Sequence, residues 1–140
     1  MSEREIEPSV LYTGRNKRYI EYARRIAEKS QSPDYRHGAL LVKGGQVINS
    51  SYNKNSYKGW ATRFRDRFSG HATHHAELGC ILGVDRANIK GSTIYVARIG
   101  KKGDLRMSKP CPMCTEILKN MGVRKVVYSI SEGQIDCEKL

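Results

Sequence analysis

Residues 92–128 read STIYVARIGKKGDLRMSKPCPMCTEILKNMGVRKVVY, and this stretch decides the fold. Its first part, Ser92 to Ile99, is rich in β-branched and aromatic residues and is predicted to form a strand. After a basic loop, Pro110 is predicted to open a helix that has Gly122 at its C′ position. Val123 to Ile130 then repeats the strand pattern. A strand, a helix and a second strand in this order predict a right-handed parallel crossover.

Upstream of this unit, the sequence predicts a helix, a hairpin and a second helix. Apolar residues recur at helical spacing from Arg15 to about Ser30. Two strand-like runs, Gly38–Val42 and Gln46–Tyr52, flank the pair Gly44-Gly45 and predict a β-hairpin. Helical periodicity resumes from Ala76 to Leu82. After the last predicted strand only a short polar tail is expected.

The predicted fold class is α/β, with three α/β/α layers in which a mixed β-sheet carries helices on both faces. A chain of 140 residues is long enough for one hydrophobic core and short for two. Residues 1–140 are therefore predicted to form a single domain.

Charge is the most unusual feature of the composition. The chain has 25 Lys and Arg against 14 Asp and Glu, a formal net charge of +11. Such a field attracts polyanions and phosphate-bearing ligands, although basic side chains can also simply solvate a surface. No stretch approaches the roughly 20 apolar residues that span a bilayer, and the N-terminus has no apolar signal core. We therefore expect a soluble, cytoplasmic domain.

Four residues carry the pattern of a metal site. Cys111 and Cys114 form C-x-x-C at the start of one predicted helix, and His75-Ala76-Glu77 opens another. Residues three apart on a helix share a face, so both thiolates can bind one ion and His75 can supply a third ligand. Zinc accepts sulfur and nitrogen ligands, and three protein ligands leave a fourth position for water. Glu77 would then lie beside that water as a proton carrier.

Two other interpretations of these residues remain open. The cysteines and histidine could belong to a closed structural zinc site, and C-x-x-C could instead be a redox pair. A closed site would need a fourth ligand, and the candidates are His37, His71, His74, Cys80 and Cys137. Cys80 lies within an apolar segment and is expected to be a small core residue.

The two motifs together resemble the zinc-dependent cytidine/deoxycytidylate deaminase superfamily. Its signature, H-x-E followed by P-C-x-x-C, is written here as His75-Ala76-Glu77 and Pro110-Cys111-Pro112-Met113-Cys114. The resemblance extends from about Tyr19 to Ile130 and implies a cytidine deaminase-like fold, a Zn²⁺ cofactor and hydrolytic removal of a nucleobase amine. It also implies that the Ala76 amide donates to the base carbonyl and that Asn53 contacts the sugar.

Two basic segments precede the metal motifs and are candidates for substrate recognition. Basic side chains can contact phosphate, and aromatic rings can stack on a base. From these segments we predict that Trp60 and Lys109 bind substrate. A solvated loop whose aromatic residues fill the core would have the same sequence pattern. The basic residues singled out as phosphate contacts are Lys54, Lys58, Arg63, Lys102, Arg106 and Lys109.

The substrate class follows from the resemblance rather than from the residues alone. The H-A-E form looks like the deoxycytidylate, transfer-RNA adenosine and guanine deaminase branches, and Pro110-Cys111-Pro112-Met113-Cys114 resembles the last two. The Tyr52-Asn53 step resembles deoxycytidylate deaminases, and we therefore favour a cytosine nucleotide or nucleoside. The alternatives are a deaminase of cytosine or adenine in RNA or single-stranded DNA, and a non-enzymatic, zinc-stapled nucleic-acid-binding module. The resemblance further implies a homo-oligomer and no organic cofactor.

Overall fold

A computed structural model describes residues 11–30, 35–53 and 75–140. They form a mixed sheet with strand order β2-β1-β3-β5-β6, and a short β4 pairs with β3 outside this path. The strands are β1 (Arg36–Lys43), β2 (Gln46–Tyr52), β3 (Thr93–Ile99), β4 (Leu105–Arg106), β5 (Lys125–Ser131) and β6 (Gln134–Lys139). The helices are α1 (Gly14–Ala27), α2 (Ala76–Gly79), α3 (Arg86–Ile89) and α4 (Pro112–Met121).

Helix α1 covers one face of the sheet. Its buried residues, which include Ile20 and Ala23, pack with Leu40 and Val42 of β1 and with Tyr95 of β3. The helix approaches β1 so closely that a Cβ atom at Gly38 would lie 2.5 Å from the backbone nitrogen of Ala27. Only glycine fits at that position, which fixes how α1 lies on the strand.

Helices α2 and α4 cover the opposite face. The alternate residues of the same strands, such as Leu41, Ile94 and Val96, pack there with Leu78 and Leu118. Because neighbouring residues of a strand point to opposite faces, strands that are buried on both faces read as continuous apolar runs. This arrangement confirms the predicted three-layer fold with a mixed sheet.

The hairpin and the crossover form where the sequence predicts them. Gly44 and Gly45 both have positive φ, 61° and 80°, as the two central residues of a type I′ turn require. Strands β3 and β5 are parallel, with Thr93 opposite Lys125. Helix α4 between them ends at Gly122, whose φ of 102° is left-handed.

Two predicted helix boundaries and the predicted polar tail are wrong. Helix α2 ends at Gly79 rather than continuing to Leu82, and the chain passes through turns up to Gly83, which has positive φ. Helix α4 begins at Pro112, its first residue, and Pro110 lies before it. The expected polar tail is strand β6, which pairs antiparallel with β5.

No helix in residues 11–30, 35–53 and 75–140 is long and apolar enough to cross a bilayer.

Candidate active site

The predicted metal ligands lie at the end of the sheet where β2 and β3 finish. His75 is the N-cap residue of α2 and Cys111 is the N-cap residue of α4, so these two ligands precede the first turn of a helix, and Cys114 lies within the first turn of α4. The partial positive charge of a helix N-terminus stabilises thiolates and other anions there. The amide of Asn49 on β2 donates to the carbonyl oxygen of Cys80 at 3.0 Å, which ties the end of α2 to the sheet.

Three ligand atoms converge in this region. The Nδ1 or Nε2 atom of His75 and the Sγ atoms of Cys111 and Cys114 all lie within 4.8 Å of one another. The Nδ1 atom of His75 is 3.3 Å from the Sγ atom of Cys114. Ligands 2.0–2.3 Å from a tetrahedral zinc ion lie roughly 3.5 Å from one another, so one nitrogen and two sulfur donors at this spacing fit zinc.

The two thiols of the cluster behave as a coupled pair. A hydrogen bond from the Cys114 thiol, aided by His75, lowers the pKa of Cys111 to about 4. The same hydrogen bond and burial raise the pKa of Cys114 well above its ordinary value. One thiolate is therefore already favoured before any ion binds, and a cation would favour the second.

The closed structural zinc site gains no fourth ligand from the described part of the chain. His37, Cys80 and Cys137 do not join the three ligand atoms there, while His71 and His74 lie outside the described residues. Cys111 and Cys114 are both free thiols. Cys80 is fully buried in the core, as predicted, and burial together with the charge of Glu77 raises its pKa.

Glu77 is the buried carboxylate of the site. Its residue is 4% exposed and occupies the first turn of α2, two positions after His75. Its negative charge contributes to the raised pKa of Cys114 and of Cys80. A carboxylate that acts on the cluster from a buried position is placed to hold or move a proton there.

Of Ala76, Lys109 and Trp60, which are predicted to bind substrate, the structure describes the first two. Ala76 is buried, immediately before Glu77, and Lys109 is exposed, two residues before Cys111. Trp60 lies outside the described residues, as do Lys54, Lys58 and Arg63.

Asn53 makes a specific set of contacts with the start of β1. Its Oδ1 atom accepts a hydrogen bond from the backbone nitrogen of His37 at 2.8 Å, and its Nδ2 atom donates to the carbonyl oxygen of Tyr35. Asn53 therefore holds the backbone that carries both residues. Its predicted contact with a sugar stays a prediction.

Two serines that the sequence did not single out position the segment before Cys111. Ser108 is buried between β3 and β5, where its hydroxyl donates to the Val96 carbonyl oxygen and accepts from the backbone nitrogen of Ser129. The Ser129 hydroxyl accepts from the Arg98 backbone nitrogen and donates to the Arg106 carbonyl oxygen. These hydrogen bonds join β3 and β5 where their ladder ends. Ser108 precedes the metal ligand Cys111 by three residues.

Comparison with known proteins agrees with this geometry. The family model described as the cytidine and deoxycytidylate deaminase zinc-binding region matches residues 13–130. A deoxycytidylate deaminase of Mycobacterium phage D29 is 27% identical over 126 residues, covering 79% of this chain and 90% of the phage protein.

Solved structures show the same fold at low identity. A cytidine deaminase from Burkholderia pseudomallei has a TM-score of 0.61 and 19% identity, covering 88% of this chain and 91% of that one. A dCMP deaminase from cyanophage S-TIM5, solved in complex with dCMP and dUMP, has a TM-score of 0.51 and 18% identity, covering 80% and 78%. Because the family model spans both motifs and most of the sequence, the chain belongs to the cytidine and deoxycytidylate deaminase family.

Proposed function

We propose that this protein is a zinc-dependent hydrolase that deaminates a free cytosine nucleotide to the uracil nucleotide and ammonia. The observation that carries the proposal is the buried carboxylate of Glu77, which follows His75 by two residues and whose charge acts on Cys114 of the cluster. A structural zinc site has no use for a buried carboxylate at that position, whereas hydrolysis of an amine requires a group that moves protons.

In the proposed mechanism, His75, Cys111 and Cys114 hold the zinc ion. When bound, zinc supplies a Lewis-acidic centre that lowers the pKa of water toward neutrality. Glu77 accepts a proton from the water that attacks C4 of cytosine and passes it to N3 of the ring. It then carries the second proton to the departing amine, so that ammonia leaves and a carbonyl group forms at C4. The backbone amide of Ala76 donates a hydrogen bond to the base carbonyl.

The choice of a free nucleotide over a polymer is supported by the phage relative, a deoxycytidylate deaminase, and by the location of the basic surface. A basic cavity of about 370 Å³ lies at the opposite end of the sheet from the metal cluster. Among the described residues, its lining contains Arg15, Arg124 and Lys125 and no acidic residue. A polynucleotide bound at this cavity would not present a base to the metal cluster. We further propose that Trp60 and Lys109 contact the substrate.

We also propose that residues 1–140 form one deaminase domain, since both helical layers share one sheet. Action in the cytoplasm is proposed because a reducing compartment keeps the cysteine ligands available as thiolates. A homo-oligomer and contact with single-stranded nucleic acid are the remaining proposals about partners.

The test is ammonia release from a panel of substrates by the zinc-loaded protein. The panel contains dCMP, deoxycytidine, a cytosine-containing single-stranded oligonucleotide and an adenine-containing RNA. We expect the highest kcat/KM with dCMP. A preference for either polymer would replace the proposed substrate class, and release from none of the four would support the nucleic-acid-binding module instead.

A further inference from the structure

Arg98 lies on the same face of the sheet as the metal cluster. It is opposite His37 in the antiparallel pairing of β3 with β1. Side chains alternate along a strand, and Ile94 and Val96 of β3 pack on the face that α2 and α4 cover. Arg98 continues that series at the end of β3 from which the chain runs on to Cys111.

The guanidinium group of Arg98 is held in place by its neighbours. Its central carbon lies 4.5 Å from the centroid of the Tyr35 ring. The Asn53 side chain donates to the carbonyl oxygen of Tyr35, and the Ser129 hydroxyl accepts from the Arg98 backbone nitrogen at 3.3 Å. A cation over an aromatic face keeps its N–H groups free to point elsewhere.

Within the described residues, this cation has no carboxylate partner. The ion pairs there involve Arg24, with Glu21 and Glu132, and Arg106, with Asp104. The Nε atom of Arg98 is buried and has no hydrogen-bond partner among residues 11–30, 35–53 and 75–140. A buried donor of a charged group costs free energy when it makes no hydrogen bond. The arrangement is therefore suited to an anion that binds beside Arg98.

The imidazole of His37 connects Arg98 with the rest of the site. Burial is the main cause that lowers the pKa of His37, and electrostatic interactions with Arg98 and His75 lower it further. The negative charge of Glu77 acts in the opposite direction. Arg98, His75 and Glu77 therefore all lie within electrostatic reach of one side chain.

We propose that Arg98, stacked on Tyr35, binds the phosphate group of the substrate and so makes the enzyme select a nucleotide over a nucleoside. This inference rests on the proposed deaminase function. The planar guanidinium offers its two terminal nitrogens in the fork geometry that matches two phosphate oxygens. The inference assigns the phosphate contact to Arg98, whose neighbours already fix its position, instead of to the basic loop residues that the sequence predicts.

The experiment compares dCMP with deoxycytidine in the wild type, in Arg98→Gln and in Arg124→Gln. Arg124 is exposed at the opposite end of the sheet, so its variant controls for the loss of one positive charge. We expect Arg98→Gln to lower kcat/KM for dCMP by about 10- to 100-fold, the worth of a charged hydrogen-bonded contact, and to leave deoxycytidine turnover unchanged. Arg124→Gln should behave as the wild type with both substrates.

Two results would overturn the inference: a dCMP preference that survives in Arg98→Gln, or an equal loss with both substrates, which would indicate a structural role. Calorimetric binding of dCMP separates this inference from the proposed function. If the wild type turned over neither substrate, the proposed function would fail. A dissociation constant for dCMP that rises in Arg98→Gln alone would still support the phosphate contact, and an unchanged constant would reject it.

Discussion

Helical spacing brings the sulfur atoms of Cys111 and Cys114 to the same side of α4. Cys111 caps α4 and Cys114 is buried in its first turn, so the spacing of three residues puts both sulfur atoms on the same side. His75 reaches the pair from the start of α2, with its Nδ1 atom 3.3 Å from the Cys114 sulfur. We therefore predict that Cys111→Ala and Cys114→Ala each lower the apparent affinity for zinc by more than about 100-fold, because even outer partners of a metal site contribute 10–100-fold. Competition with a chromogenic chelator measures this loss.

The matched control for the zinc prediction is Cys137→Ala. Cys137 lies on β6 and does not join the three ligand atoms. It should retain one zinc ion per chain at the affinity of the wild type. Stoichiometric zinc in a Cys111→Ala/Cys114→Ala double variant would contradict the ligand assignment.

Cys80 shows how the same residue type behaves without a functional environment. Burial and the charge of Glu77 raise its pKa, so the thiol stays protonated at pH values where an ordinary cysteine begins to ionise. We predict that iodoacetamide at pH 8.5 modifies Cys137 and leaves Cys80 unmodified in the folded protein. Peptide mass spectrometry reads out both sites. Modification of Cys80 at the rate of Cys137 would mean that its burial is wrong.

At the scale of elements, the junction between β3, β4 and β5 determines where Cys111 lies. The parallel ladder ends at Val96 and Tyr128, and β4 pairs with β3 beyond that point. Ser108 and Ser129 supply the hydrogen bonds that the separated strands can no longer make. Each of these hydrogen bonds contributes about 1 kcal/mol to the free energy of unfolding, and a buried polar group that loses its partner costs more.

We predict that Ser129→Ala destabilises the metal-free protein by about 1–3 kcal/mol and weakens zinc binding, because it leaves the Arg98 amide and the Arg106 carbonyl without their partner. The control is Ser92→Ala, which removes a buried hydroxyl group that has no hydrogen-bond partner among the described residues. Urea unfolding and chelator competition measure the two effects. Equal losses in both variants would show that the junction has no special role.

Elements whose signal is local were predictable, and elements that depend on tertiary pairing were not. The hairpin at Gly44-Gly45 and the crossover through α4 follow from turn chemistry and continuous apolar runs. Strand β6 was missed because an edge strand needs few apolar residues, and here only Ile135 is fully buried. Helix α2 was predicted too long because apolar periodicity continues through turns that glycines interrupt.

The candidate site divides in the same way. The metal ligands and Glu77 were predictable because the spacing within each motif carries the chemistry. The placement of Arg98 and His37 was not, because it depends on the register between β1 and β3, which are more than 50 residues apart in sequence. No sequence pattern pointed to the pairing of Ser108 with Ser129.

At the scale of the whole molecule, the formal net charge is +11, and Arg15, Lys43 and Arg124 line a basic cavity at the end of the sheet opposite the metal cluster. A single phosphate needs one local contact, whereas a polynucleotide would engage many basic residues and release their counterions. We predict that kcat/KM with dCMP falls only weakly with salt, with the slope of about one or two ion contacts. Measuring the rate between 50 and 300 mM KCl tests this. A slope that corresponds to several contacts, reduced by many single Lys→Ala or Arg→Ala variants, would indicate a polymeric substrate.

The most direct test of the central claim is the conversion of dCMP to dUMP by the wild type and by Glu77→Gln at equal zinc content, followed by the change in ultraviolet absorbance. The account predicts steady conversion by the wild type and a loss of about 1,000-fold or more in Glu77→Gln, because a positioned proton carrier contributes 10²–10⁴-fold. It also predicts that the variant keeps its zinc and its unfolding temperature. A Glu77→Gln protein that retained wild-type turnover, or a fully zinc-loaded wild type that produced no dUMP, would contradict the account.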